Sequence, residues 1–312
     1  MITRFLQRVT VGLGLVGVCM LPVTAQDVSS QVQTTFRSTV DVVTIQASVR
    51  DSHGRVVNGL TQTDFEVRDN GEVRPILSLR SDRQSPISVA ILVDMSGSMR
   101  AEPKTAMARQ AYASVLSQLR NGQDEVAVFT FDSALHERRN FTRDLSTLKG
   151  ALDEFEAFGS TSLYDATAAA ARRLADRSAA LKAIIVLTDG IDTSSAMNAR
   201  DVSGLASSID VPVYMVATVP SIDQRIMMES SERATTSDAA DLRDLAEWTG
   251  GQFVFASTLI ETVVASSKLI DELRQQYILA IEAAGGREWR RLDVRVRRPA
   301  ATVKARSGYF AG

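Results

Sequence analysis

Ile87-Ser88-Val89-Ala90-Ile91-Leu92-Val93, followed at once by Asp94-Met95-Ser96-Gly97-Ser98, is the stretch on which the reading of this chain turns. A run this apolar is expected of a strand buried on both faces in a parallel sheet. Chain that leaves the carboxyl end of such a strand lies where open α/β sheets bind ligands. Asp94 is thus a carboxylate in a place where sites are built, and Ser96 and Ser98 add two hydroxyls at alternate positions. Gly97 allows a bend tight enough to turn the three oxygens toward one point. One carboxylate and two hydroxyls suit a hard cation such as Mg2+, which takes oxygen ligands. Taken alone, the five residues also read as an ordinary Ser- and Gly-rich loop.

Outward from this stretch the chain alternates strands with helices. Pro103 is placed for a helix start, and Ala108, Tyr112, Val115, Leu116 and Leu119 form one apolar face. A strand is expected over Val126–Phe131, then a polar connection holding His136, a helix from about Leu145 to Phe158, and an Ala-rich helix from Leu163 to about Asp176. Ala183–Leu187 is a further buried strand and ends in Thr188-Asp189-Gly190. Val211–Ala217, a helix over Asp238–Trp248 stopped by Gly250-Gly251, Phe253–Phe255 and a helix over Ile260–Gln276 complete the alternation. The polar stretch Pro220–Ser237 has no clear period. Strand and helix in repetition imply a doubly wound, Rossmann-like α/β sheet.

Both flanks read as β structure. Val43, Ile45, Ala47 and Val49 alternate with polar residues, the period of a strand with one buried face. Phe65–Arg68 and Val73–Leu79 flank Asp69-Asn70-Gly71, a strong hairpin signal. At the other end, Tyr277–Ala283 and the alternating Leu292, Val294 and Val296 suggest a hairpin around Gly285-Gly286. The expected division is a signal peptide over 1–25, an N-terminal β module over 26–83, an α/β domain over 86–276 and a C-terminal β segment over 277–312. The two β flanks are expected to pair into one small β-sandwich with the α/β domain inserted between them.

Composition narrows the classes. At 312 residues, 45% hydrophobic, the chain can build a large core, and its net charge of −2 gives no support for nucleic acid as a partner. Arg4 and Arg8 precede an apolar run from Val9 to Leu21, and Val23-Thr24-Ala25 offers small residues for cleavage. Cleavage after Ala25 makes the protein secreted or periplasmic, with no stable membrane insertion; a retained leader acting as an anchor is the alternative. The single cysteine, Cys19, falls in that leader, so neither disulfides nor thiolate metal sites are expected beyond it.

Enzyme readings lack their parts. There is no Gly-x-Ser-x-Gly elbow and no Gly-rich phosphate loop with its lysine, and His53 and His136 fall in segments that look exposed. Ser96 stands where an aspartyl phosphotransferase has its second acid. Metal-assisted hydrolysis would still need a general base, and none is visible.

Three loops therefore stand at or beside strand ends: Asp94-x-Ser96-x-Ser98, Gly159-Ser160-Thr161-Ser162-Leu163-Tyr164-Asp165 and Thr188-Asp189-Gly190. Together they resemble the von Willebrand factor type A domain and its metal-ion-dependent adhesion site, a DxSxS loop with a distant Thr and a distant Asp. The resemblance covers roughly Pro86 to Gln276. It implies that Ser96, Ser98 and Thr161 are hydroxyl ligands and that Asp94 and Asp189 are carboxylates binding a cation directly or through water, with Ser160 and Ser162 as neighbours of the Thr161 assignment. The implied cofactor is Mg2+, or Mn2+ or Ca2+, and the implied partner is a protein presenting an acidic residue to the metal. Asp165 and Asp192 are expected to cap and order the adjoining helix and loop. Leu60-Thr61-x-x-Asp64-Phe65, Asp69-Asn70-Gly71, Thr249-Gly250-Gly251 and Arg306-Ser307-Gly308-Tyr309 look like exported bacterial proteins of the acidobacterial type A-related group. The expected function is metal-dependent protein binding or adhesion. The alternatives are an envelope scaffold whose metal only stabilises the fold, or a metal-dependent hydrolase.

Overall fold

The computed structural model describes residues 42–311 apart from 82, 154–156, 191, 220–237 and 287. The leader expected over 1–25 and the stretch 220–237 lie outside the described residues. The described residues begin with β1 (Val42–Arg50), β2 (Phe65–Asp69), β3 (Glu72–Arg74) and β4 (Ile76–Arg80). It continues through β5 (Ile87–Asp94), α1 (Glu102–Gln118), β6 (Glu125–Phe131), β7 (Leu135–Thr142), α2 (Leu163–Ala175) and β8 (Leu181–Thr188). Then come α3 (Ala199–Ser208), β9 (Val213–Thr218), α4 (Asp238–Trp248), β10 (Phe253–Ala256) and α5 (Leu259–Arg274). The chain closes with β11 (Tyr277–Glu282), β12 (Trp289–Val296), β13 (Thr302–Ala305) and β14 (Gly308–Phe310). No helix among the described residues is long and apolar enough to cross a membrane.

The central sheet has the order β10-β9-β8-β5-β6-β7, parallel except for the antiparallel edge strand β7. Every residue of β5 is buried, as a strand covered on both faces demands. Its side chains divide by parity. Ile87, Val89, Ile91 and Val93 pack with α1 and α5 through Ala108, Tyr112, Val115, Leu269 and Leu273. Ala90 and Leu92 pack on the opposite face with α2, α3 and α4 through Leu163, Ala170, Val202 and Leu245. The small alanines of α2 let that helix lie close to the sheet. After β5 the chain builds β6 and β7 on one side and then returns to place β8 on the other. The carboxyl ends of β5 and β8 therefore meet at the switch point of the sheet, where such folds open a crevice.

The flanks form two antiparallel four-stranded sheets, β13-β1-β11-β4 and β14-β12-β2-β3, each drawing strands from both ends of the chain. They enclose one apolar core of Ile45, Val49, Phe65, Val67, Tyr277, Leu279 and Tyr309, with Phe65 and Tyr277 edge to face at 5.2 Å. The Asn70-Gly71 turn joins β2 to β3, both residues at positive φ (49° and 89°), as a tight two-residue hairpin requires.

Several expectations need correction. Val73–Leu79 is two strands, because Pro75 interrupts it: β3 stays with β2, and β4 pairs with β11 in the other sheet. The hairpin expected around Gly285-Gly286 is absent, since β11 pairs with β1 and β4 while β12 pairs with β2 and β14. The connection crosses between sheets. The helix expected from Leu145 is a short 3-10 turn over Leu145–Leu148, nailed down by burial of Leu145 and Leu148. The polar segment holding His136 is β7, whose charged residues suit an exposed edge. β1 is covered on both faces from Ile45 to Val49, because its polar face meets the α/β unit. There Ser48 and Arg50 reach Glu272 of α5, and the Gln46 amide donates to the Asp210 carbonyl.

The flanking motifs clasp one another. Thr249 bridges to Arg306, and the Ser307 N–H donates to the Trp248 carbonyl at 2.8 Å. A Cβ on Gly250 would sit 2.8 Å from the Arg306 nitrogen, so a side chain there would part the two segments. Arg306 is buried and donates to the Ser207 and Thr44 carbonyls, tying α3 to β1. Buried Asp69 accepts from Arg290 at 2.7 Å and from the Tyr309 hydroxyl at 3.0 Å.

Candidate metal centre

Asp94 ends β5 and is fully buried. Its Oδ1 accepts from the Ser96 N–H at 2.8 Å and its Oδ2 from the Thr188 hydroxyl at 2.6 Å. The carboxylate is thus aimed across the gap between β5 and β8. Ser96 Oγ lies 3.0 Å from Ser98 Oγ, Ser96 being buried and Ser98 exposed. The alternate spacing brings the two hydroxyls together, as the sequence predicts, and the chain then closes into a 3-10 turn over Gly97–Arg100.

The loop is strapped down on two sides. Met95 N–H donates to the Phe131 carbonyl, and the Met95 carbonyl accepts from Phe158 N–H, both at 2.8 Å. Gly97 N–H donates to the Gly159 carbonyl at 2.9 Å. A Cβ at Gly97 would lie 3.3 Å from that oxygen, so glycine allows this close approach. The Gly159 strap carries the loop of Thr161 to the motif. Thr161 is buried; its N–H donates to Thr193 Oγ1, and its carbonyl accepts from Thr193 and Ser194 N–H groups. Of its neighbours, Ser162 is engaged with Ser194 Oγ at 2.8 Å, and Ser160 is exposed. Asp165 accepts from Ala196 and Met197 N–H groups, and Asp192 from those of Tyr164 and Ser195. These two acids lock the start of α2 to the following loop.

Asp189 follows β8 and is 2% exposed. Its Oδ2 pairs with Lys104 Nζ of α1 at 2.9 Å, whereas its Oδ1 is buried without a hydrogen-bond partner. A buried carboxylate oxygen left unpaired is costly, and it is the atom a cation would satisfy. Burial chiefly, and the nearby Asp189 charge in addition, push Asp94 up to about 6 against the opposing hydrogen bonds from Thr188 and Ser96. Two acids against one ammonium leave a net negative site.

Among the described residues no group of three or more His, Cys, Asp or Glu could hold a metal. The candidate donors here are two carboxylates and hydroxyls, a set suited to a hard, oxygen-seeking ion. His53 is exposed beside Ser52, and His136 is exposed on β7 beside Asp132. Neither Thr188 nor Lys104 belongs to the DxSxS pattern or to its distant Thr and Asp. Thr188 stands beside Asp189 at a strand end, and Lys104 lies in the first turn of the helix after the motif; only the fold brings them to the acids.

A family profile described as the von Willebrand factor type A domain matches residues 89–191, which run from β5 past the end of β8. No curated protein matches the chain. Among solved structures, proximal thread matrix protein 1 from the mussel byssus, with a zinc-occupied MIDAS motif, is 16% identical at a TM-score of 0.50, covering 66% of this chain and 49% of the mussel protein. The conserved hypothetical protein BatB from Bacteroides thetaiotaomicron is 19% identical over 60% of this chain and 98% of its own, at 0.48. The PilB minor pilin from Streptococcus sanguinis is 15% identical over 62% of each chain, at 0.45. These are likenesses of fold. The central α/β sheet, the strand-end loops and the profile match together identify the protein as one that contains a von Willebrand factor type A domain.

Proposed function

We propose that Asp94, Ser96, Ser98, Thr161 and Asp189 hold a divalent cation, Mg2+ or Mn2+ or Ca2+, and that the exported protein uses it to bind an acidic side chain of a protein partner. The observation that carries this reading is the buried, unpartnered Oδ1 of Asp189, on an acid close enough to Asp94 for its charge to raise the Asp94 carboxyl. Hydroxyls are neutral ligands, so two carboxylates balance one divalent ion and leave it able to accept a further anionic oxygen. The chain's own residues do the rest. Thr188 and the Ser96 N–H orient Asp94, and the Gly97 to Gly159 bond keeps the Thr161 loop beside the motif. Residues 1–25, read as a leader, put that contact outside the cytoplasm, and the flanking motifs support an affinity with the acidobacterial group.

Capture of partners from envelope extracts with and without chelator tests the reading. Partners lost in chelator and in Asp94→Ala support it. One observation favours a second reading: Asp94, Ser96, Thr161 and Asp189 are all 3% exposed or less, which suits an ion that only braces the fold of a scaffold. Capture that survives chelation would select it.

A further inference from the structure

Lys104 stands in the first turn of α1, and its side chain is 15% exposed while its ammonium pairs with Asp189. The Thr105 hydroxyl donates to the Met99 carbonyl at 2.6 Å, so the helix start that carries Lys104 is fixed to the same loop that carries Ser96 and Ser98. The ammonium is held where it balances one of two neighbouring acids. Asp189 then has one oxygen committed to Lys104 and one buried oxygen with no partner.

We propose that Lys104 is a tethered competitor of the cation, so that a divalent ion binds by exchange with the ammonium instead of by simple addition. The inference rests on the cation reading of the site given above. A doubly charged ion on Asp189 brings like charge within a few ångströms of Nζ, in a place with little water to screen it. With Nζ on Oδ2 and the ion on the free Oδ1, two positive charges would share one carboxylate, and their repulsion weakens the lysine contact. Lysine is the residue suited to leave, being a compact, strongly hydrated charge on a flexible four-carbon stem. Its departure repairs the hydration of the ammonium and frees Oδ2. In the cation-free state the same side chain prevents Asp189 from being a bare buried charge. Lys104 thereby keeps the site formed in both states and raises the cation concentration needed to fill it.

The test is calorimetric titration of Mn2+ into the protein and into Lys104→Met, with thermal unfolding in chelator as a second readout. The expected result is Mn2+ bound about tenfold more tightly by the variant, together with a lower unfolding temperature in chelator that Mn2+ restores. Equal or weaker Mn2+ binding by the variant overturns the role of Lys104 while leaving the cation site standing. Absence of binding in both proteins removes the site itself. Should Lys104→Met fail to fold, the rate of acetylation of Lys104 in the unaltered protein gives the answer: several-fold faster at saturating Mn2+ supports exchange, and an unchanged or slower rate overturns it.

Discussion

The Arg50 guanidinium lies 2.6 Å from a carboxylate oxygen of Glu272, joining the first strand of the flanking β structure to the last helix of the α/β unit. Glu272 is 2% exposed and Arg50 about a quarter exposed, and the Ser48 hydroxyl donates to the same acid. Removing the acid leaves Arg50 able to reach water, so the loss falls below that of a fully buried pair. Glu272→Ala is expected to cost about 2–3 kcal/mol, read from urea unfolding. Arg50→Ala combined with it should cost less than the two changes summed, since both remove one interaction.

Asp94 makes the cation-free protein sensitive to pH. Its carboxyl is raised to about 6 from an ordinary value of 3.8, so the native state favours its protonated form. The corresponding stability is fully present below about pH 4 and is lost as pH rises through 6, on the order of 3 kcal/mol in all. Unfolding free energy in chelator should decline over that window, and Asp94→Asn should flatten the decline. The proton and the cation compete for the same oxygens, so Mn2+ binding should weaken as pH falls from 7.5 to 5.

The glycines at the clasp should be far less tolerant than a glycine in an open turn. A Cβ on Gly251 would meet the Val213 carbonyl oxygen at 2.0 Å, and Gly250 has φ +84° as well as the close approach to Arg306. Gly122 also has positive φ, +77°, but nothing lies within 4 Å of its Cβ position. Gly122→Ala is expected to cost about 1 kcal/mol, and Gly251→Ala more than about 3 kcal/mol, compared by thermal unfolding.

Much of the α/β unit is legible in the sequence because its elements obey local rules. β5 is an unbroken apolar run, α1 shows its apolar face and Pro103, and the site loops follow strand ends. The β flanks are less legible, because alternation announces a strand without naming its partner. Nothing local says that Pro75 sends β4 to another sheet, or that β11 and β12 part company across Gly285-Gly286. The same holds for the polar face of β1, where Gln46 and Ser48 look solvated until α5 and Asp210 cover them. At the candidate site, motif and spacing single out Asp94, Ser96 and Ser98, and the structure brings the two serine hydroxyls to 3.0 Å of each other beside the buried Asp94. Lys104 and Thr188 are not legible in that way, since their roles depend on distances of 2.9 Å and 2.6 Å set by packing between separate elements.

The most direct test of the central claim is calorimetric titration of Mg2+ and Mn2+ into the protein, with Asp94→Ala as control. The account predicts a single divalent ion bound, with a rise in unfolding temperature, and loss of both in the variant. No heat and no thermal shift in the unaltered protein, or binding undiminished in Asp94→Ala, would contradict it.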